Sequence, residues 1–196
     1  MSTVKSKKLQ VGTDATATNN FTIYQPSTPD GTLRIGVGNA DSPTEVGRFN
    51  SNGYIPATAP SFSSRMTSSQ IIPSTTFTKI LFNVENWDTN SNYNTTLSRF
   101  TPTVAGYYQF NGSAFISSGS GRVFTLLFKN GVVAKYGSNL ATTVNGGITT
   151  AVNAQLEANG SSDYFECMFY QESGSNQTIN ADRTLSWFDG FLARAA

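Results

Sequence analysis

Apolar and polar residues alternate in short runs along most of this chain, and the runs end on turn-forming residues. Thr76–Phe82, Tyr107–Ile116, Arg122–Phe128, Val132–Tyr136, Ile148–Leu156, Tyr164–Tyr170 and Leu185–Leu192 each read as a strand. No segment carries the 3.6-residue period of an amphipathic helix, so the predicted fold is all-β. Asn130-Gly131, set between two of these runs, is the strongest hairpin signal. Asn145-Gly146-Gly147 breaks the chain again, and the polar stretch 86–96 reads as a loop. Gly112, inside a long strand, predicts a bulge or the close approach of another backbone. Several strands are apolar on both faces: Leu185, Trp187 and Phe191 share one face, Phe188 and Leu192 the other. A second apolar face predicts burial against another subunit.

The first 55 residues follow a weaker version of the same pattern. Leu9–Val11, Phe21–Tyr24, Thr32–Ile35 with Val37, and Glu45–Phe49 form small β units between turns such as Pro29-Asp30-Gly31 and Asn52-Gly53. Each supplies only two or three apolar side chains, too little buried surface for a segment of this size to stand alone. It needs a partner. Gly36-Val37-Gly38 has no third glycine at phosphate-loop spacing, and Pro43 interrupts any helix there, so it reads as a strand end. Residues 56–63 read as an extended Pro/Ser linker. The expected organisation is a β-rich segment over 1–55, the linker 56–63, and a β-sandwich over 64–196.

Composition narrows the functional classes. Charged residues make up 13% of the chain and aromatics 12%, a balance that suits a packed β protein and not a disordered one. The formal net charge is +1, which favours neither nucleic acid nor an anionic membrane as partner. Residues 1–55 hold five Lys/Arg against four Asp/Glu, and residues 56–196 hold eight of each, so neither part is electrostatically distinct. With no histidine, the usual general base and commonest zinc ligand are missing. The single Cys167 lies in an apolar run and reads as a small buried hydrophobe. Lys5, Lys7 and Lys8 are followed by no apolar stretch of the kind that makes a signal peptide, and no run is long enough to span a bilayer. The expectation is synthesis in a cytoplasm and no membrane insertion.

The aromatic and glycine positions over 64–196 form a ladder: Phe82, Asp88, Tyr93, Phe100, Gly106, Tyr108 and Phe110, closed by Ser186-Trp187-Phe188-Asp189-Gly190-Phe191-Leu192. This ladder resembles the globular head of complement component 1q, shared with adiponectin and related to the tumour-necrosis-factor jelly rolls. Lys129-Asn130-Gly131 is similar to that family's central hairpin. Two departures are visible: Gly112 stands where the family has an aromatic, and Asn159-Gly160-Ser161 replaces its Gly-Asp turn. The resemblance implies a ten-strand jelly roll assembled as a homotrimer, with protein or glycan binding at exposed loops, no catalysis and no cofactor. Calcium occurs in some members, but its ligands do not map onto this chain. The preceding segment, with its Leu9-Gln10-Val11-Gly12 opening, resembles the leading segments of bacteriophage fibre and other virion proteins.

The candidate chemistry is thin. Asp182 with Asp189, or Glu157 with Asp163, are the available carboxylate pairs, and each acid reads better as solvated or turn-capping. No Gly-x-Ser-x-Gly elbow is present. Arg122 and Arg183 are ordinary surface arginines or pair with acids at a trimer seam. Trp87, with Asn90 and Asn92, is the candidate ligand loop, because an exposed indole stacks on sugar rings; Tyr93 reads as a core anchor, and Tyr136 is a further exposed aromatic. Lys5, Lys7, Lys8, Leu9 and Val11 are the candidate virion-docking residues. The functional expectation is a virion structural protein, a trimeric fibre or adhesin contacting other virion proteins and a host-surface glycan or protein. A capsid decoration protein is the alternative, and a polysaccharide depolymerase ranks last.

Overall fold

The computed structural model describes residues 8–56, 59–117, 119–144 and 147–196. Lys5 and Lys7 lie outside the described residues. The chain divides into two compact units, Met1–Ala59 and Pro60–Ala196.

The first unit is a single antiparallel sheet in chain order: β1 (Lys8–Val11), β2 (Phe21–Tyr24), β3 (Leu33–Val37), β4 (Thr44–Asn50) and β5 (Gly53–Pro56). Its register puts Leu9 opposite Ile23, Ile23 opposite Ile35, Val11 opposite Phe21, Phe21 opposite Val37, and Leu33 opposite Phe49. Side chains directly opposite point to the same side of a sheet, so these residues form one apolar face. The reverse face is polar: Thr22 is fully buried and its hydroxyl donates to the Gly38 carbonyl, while the Asn20 amide donates to Asp14 and Asn39 oxygens. Gly36 lies within β3 where a Cβ would meet Pro43 and Tyr24, so this glycine serves packing.

The second unit contains fourteen strands among the described residues. In chain order they are β6 (Ser61–Arg65), β7 (Gln70–Ile72), β8 (Thr78–Lys79), β9 (Val84–Asp88), β10 (Tyr93–Asn94), β11 (Arg99–Phe100), β12 (Gly106–Ile116), β13 (Gly119–Lys129), β14 (Val132–Tyr136), β15 (Leu140–Val144), β16 (Ile148–Ala158), β17 (Phe165–Gln171), β18 (Gln177–Ile179) and β19 (Trp187–Ala195). Several are pieces of two or three residues, which lifts the number above the ten expected. They make two antiparallel sheets. In the front sheet β16, β12, β19, β6 and β9 are successive neighbours, extended by β18 and β7. In the back sheet the path is β10-β11-β17-β13-β14, with β15 on β13 and β8 on β17. This is a jelly-roll sandwich.

The core between the sheets is aromatic. Phe62 stacks on Phe100 at 4.4 Å and on Tyr93 at 5.0 Å, and Phe110 of the front sheet meets Phe165 of the back sheet at 4.4 Å. Tyr108, Phe110, Phe100, Phe82 and Phe188 are fully buried. The ladder glycines have a physical reason. A Cβ on Gly106 would lie 2.3 Å from the Arg194 carbonyl oxygen, and one on Gly190 would lie 2.7 Å from the Phe62 ring. Asn130 and Gly131 both take positive φ, +54° and +79°, the conformation of a type I′ turn joining β13 to β14.

Four expectations change. The linker 56–63 does not run to residue 63: Ser61–Arg65 is β6, paired with β19, because Phe62 is a core anchor. The run Thr76–Phe82 yields only the two-residue β8, although its Ile80 and Phe82 are buried. Gly112 is no bulge; the irregularity of β12 falls at Tyr107/Tyr108, and a Cβ on Gly112 would sit 2.7 Å from the Cys167 sulfur, a side chain and not another backbone. Finally, the doubly apolar strands β13 and β17 cover their second face within the chain, where Phe124, Leu126 and Met168 are buried beneath Phe128, Val133 and Tyr170.

Candidate functional site

The expected ligand loop does not come together. Trp87 lies in β9, opposite Ser63 of β6, and its indole N–H donates to the Ser61 hydroxyl at 3.2 Å. It is 53% exposed. Asn92, by contrast, is only 5% exposed: its amide nitrogen donates to the Asn90 carbonyl at 3.1 Å and to Thr103 Oγ1 at 3.2 Å, and its oxygen accepts from the Thr103 N–H at 3.3 Å. Asn90 is half-buried, its backbone N–H donating to Asp88 Oδ1 and its side-chain oxygen accepting from the Thr89 hydroxyl. Asp88 Oδ2 also accepts the Tyr93 N–H at 2.7 Å. These polar residues tie 88–103 to the sandwich and are occupied in doing so. Tyr93 is the core anchor expected, its hydroxyl donating to the Phe82 carbonyl at 2.8 Å and its phenol pKa pushed up by burial. The Tyr108 hydroxyl donates to the Val104 carbonyl, and burial pushes its pKa up to about 12.

What Trp87 does join is the outward face of the front sheet. Register places Trp87, Ser63, Asp189, Asn111 and Asn153 in one row across β9, β6, β19, β12 and β16. The adjacent row carries Ser61, Phe191, Gln109 and Gln155. Tyr107 follows, exposed, opposite Glu157. Phe191 is 47% exposed on this face, so it departs from the core role its ladder position implied, while Phe188 and Gly190 point inward. Alternation along β19 is the reason. At the centre sits Asp189, whose Oδ1 is buried without a hydrogen-bond partner and whose carboxyl pKa is raised by burial, partly countered by bonds from Ser63 and the Ser64 backbone. The face is therefore aromatic and amide-rich, with one desolvated acid.

Asp163, Asp182 and Glu172 are engaged elsewhere. Asp163 accepts from Asn130 at 2.8 Å and from the Asn159 N–H at 2.9 Å, and pairs with Lys129; bonding to Asn130 first, then to Lys129, holds its pKa down. Asp182 accepts from the Thr184 N–H and hydroxyl. Arg122 pairs within its own chain, bidentate to Glu172. Among the described residues no three His, Cys, Asp or Glu side chains gather into a metal-holding group. Burial pushes the Cys167 thiol pKa up, as fits an inert packing sulfur.

In the first unit, Lys8 donates through Nζ to the Ala40 carbonyl, whereas Leu9 and Val11 are 58% and 56% exposed on the apolar face with Phe21, Leu33 and Phe49. The sequence singled out the first two of these and missed the other three, which the register alone brings together.

No protein-family model and no curated protein matches the sequence. Solved structures match the fold. The globular domain of zebrafish complement 1qA protein superposes with a TM-score of 0.52 at 18% identity, covering 71% of this chain and all of that one. The Eiger TNF of S. frugiperda gives 0.51 at 10% identity, covering 70% and 93%. Murine APRIL at pH 5.0 gives 0.55 at 5% identity, covering 69% and 99%. At these identities the likeness is one of fold: the chain carries a jelly roll of the complement-1q and tumour-necrosis-factor kind.

Proposed function

We propose that this chain is a non-enzymatic bacteriophage virion protein: a trimeric fibre or adhesin whose N-terminal unit docks on the particle and whose jelly-roll head is displayed for host-surface binding. The observation that carries the reading is the apolar face of the N-terminal sheet, on which Leu9, Val11, Phe21 and Leu33 are exposed. A single-layer sheet with an exposed apolar face gains stability by burying it, and particle assembly supplies a surface to bury it on. For the head, the outward face of the front sheet supports self-association. Trp87, Tyr107 and Phe191 offer exposed aromatic area, and uncharged amides separate them. Three such faces meeting about an axis bury this aromatic area, with Asp189, Glu157, Arg65 and Arg194 the charged residues that register places on the face. Asp163, Asp182 and Glu172 are occupied in turns and ion pairs, which fits a binding role better than a hydrolytic one.

The test is sedimentation of the purified full chain together with its binding to the bacterium on which the particles grow. The expected mass is three times the 21.1 kDa chain, falling to one chain in Phe191→Asp, with saturable cell binding by the parent protein. A monomeric parent contradicts the seam, and a trimer that ignores the cells contradicts the adhesin.

A further inference from the structure

On the outward face of the back sheet four aromatic rings form a strip, drawn from three strands and the segment before β8. Tyr136 meets Phe124 edge-on at 5.5 Å, Phe124 stacks on Tyr170 at 4.9 Å, and Tyr170 meets Phe77 at 4.9 Å. The middle of the strip is buried, Phe124 at 5% exposure, and the ends stand out, Tyr136 at 60% and Phe77 at 42%. These rings line a cleft of about 520 Å³ together with Arg122, Asn139 and Thr75. That volume is within the usual range for a small-molecule site. At its polar edge Arg122 donates from Nε at 2.8 Å and Nη2 at 2.6 Å to the two oxygens of Glu172, and the Tyr170 hydroxyl donates to Glu172 Oε1 at 3.1 Å. Thr75, which also lines the cleft, holds φ at +57°, a conformation costly for a β-branched residue, and its N–H is tied to the Gln171 carbonyl at 2.7 Å. Backbone strain of this kind is concentrated at ligand-binding positions.

We infer that this cleft binds a neutral pyranose sugar, a residue of a cell-surface polysaccharide. The aromatic rings that line the cleft offer apolar area of the kind that packs on the C–H face of a pyranose. The Arg122–Glu172 pair is internally neutralised, so the cleft has no net charge with which to select an ion. It does present planar donors and acceptors side by side, and sugar hydroxyls both donate and accept. The pair also fixes both side chains beforehand, lowering the ordering cost of binding. The inference takes the source of the sugar from the adhesin reading, while the binding chemistry stands on the cleft alone.

The experiment is calorimetric titration of the full chain with maltohexaose, cellohexaose, mannohexaose and chitohexaose, run beside the cell-binding assay. At least one oligosaccharide is expected to bind, roughly tenfold more weakly in Tyr136→Ala and in Phe77→Ala, since each removes a stacking face. Both residues are well exposed, so the variants keep the parent's circular dichroism and sedimentation, and Leu97→Ala binds as the parent does. The inference is overturned if no probe binds, if sugar binding survives loss of both rings, if Trp87→Ala abolishes it instead, or if Tyr136→Ala changes the sedimenting mass, which would make the strip a subunit contact. Cell binding without oligosaccharide binding overturns the cleft and leaves the adhesin reading standing. Oligosaccharide binding at the cleft without cell binding does the reverse, and loss of both overturns both.

Discussion

Asp189 is the residue at which the outward face of the front sheet departs from ordinary surface chemistry. Its Oδ1 is buried without a partner, and burial raises its carboxyl pKa above the ordinary aspartate value against the opposing bonds from Ser63 and Ser64. The folded chain therefore holds this proton more tightly than the unfolded chain does. The resulting stabilisation is fully present below the unfolded pKa and is lost as pH rises through the folded one. Asp189→Asn removes the titration, so the variant should melt above the parent at pH 7 and the gap should close as pH falls towards 3.8. Thermal unfolding followed across that range checks it; a gap independent of pH would show that the carboxyl titrates alike in both states. Gly112 and Cys167 make the complementary point inside the core. The sequence showed an aromatic missing from the ladder, and the structure shows the Cys167 sulfur occupying the space a Cβ would need.

At the scale of elements, the long strands were legible because their signals are local. Alternation located β12, β13, β16, β17 and β19 to within a few residues, and Asn130-Gly131 marked the hairpin because only residues tolerant of positive φ fit a type I′ turn. Elements defined by distant partners were not legible. β6 carries one apolar residue among serines and reads as linker, yet Phe62 stacks on Phe100 and Tyr93, which follow it by more than thirty positions. Phe62→Ala should therefore cost about 3–5 kcal/mol in urea unfolding, the usual loss for truncating a buried phenylalanine. A loss below about 1 kcal/mol would restore the linker reading of this segment. Asn92 of the candidate ligand loop is buried for a related reason: its exposure could not be judged without knowing that Thr103 bonds its amide.

At the scale of the molecule, neither exposed surface that the functional reading uses was visible as a sequence motif. The apolar face of the N-terminal sheet is assembled by the register of its strands, from residues that are only two or three to a strand. The aromatic strip on the back sheet joins Phe77 to Tyr136 and Tyr170, which alternation alone could only describe as separately exposed or buried. One unit offers an apolar surface suited to a particle and the other a cleft suited to a surface sugar, and the reading as an attachment protein assigns them those two tasks. Its most direct test is to label purified particles with an antibody raised against residues 60–196 and to image where the label falls. Label clustered at the tail tip is the predicted result. Particles without label, or label spread evenly over the capsid shell, would contradict the account.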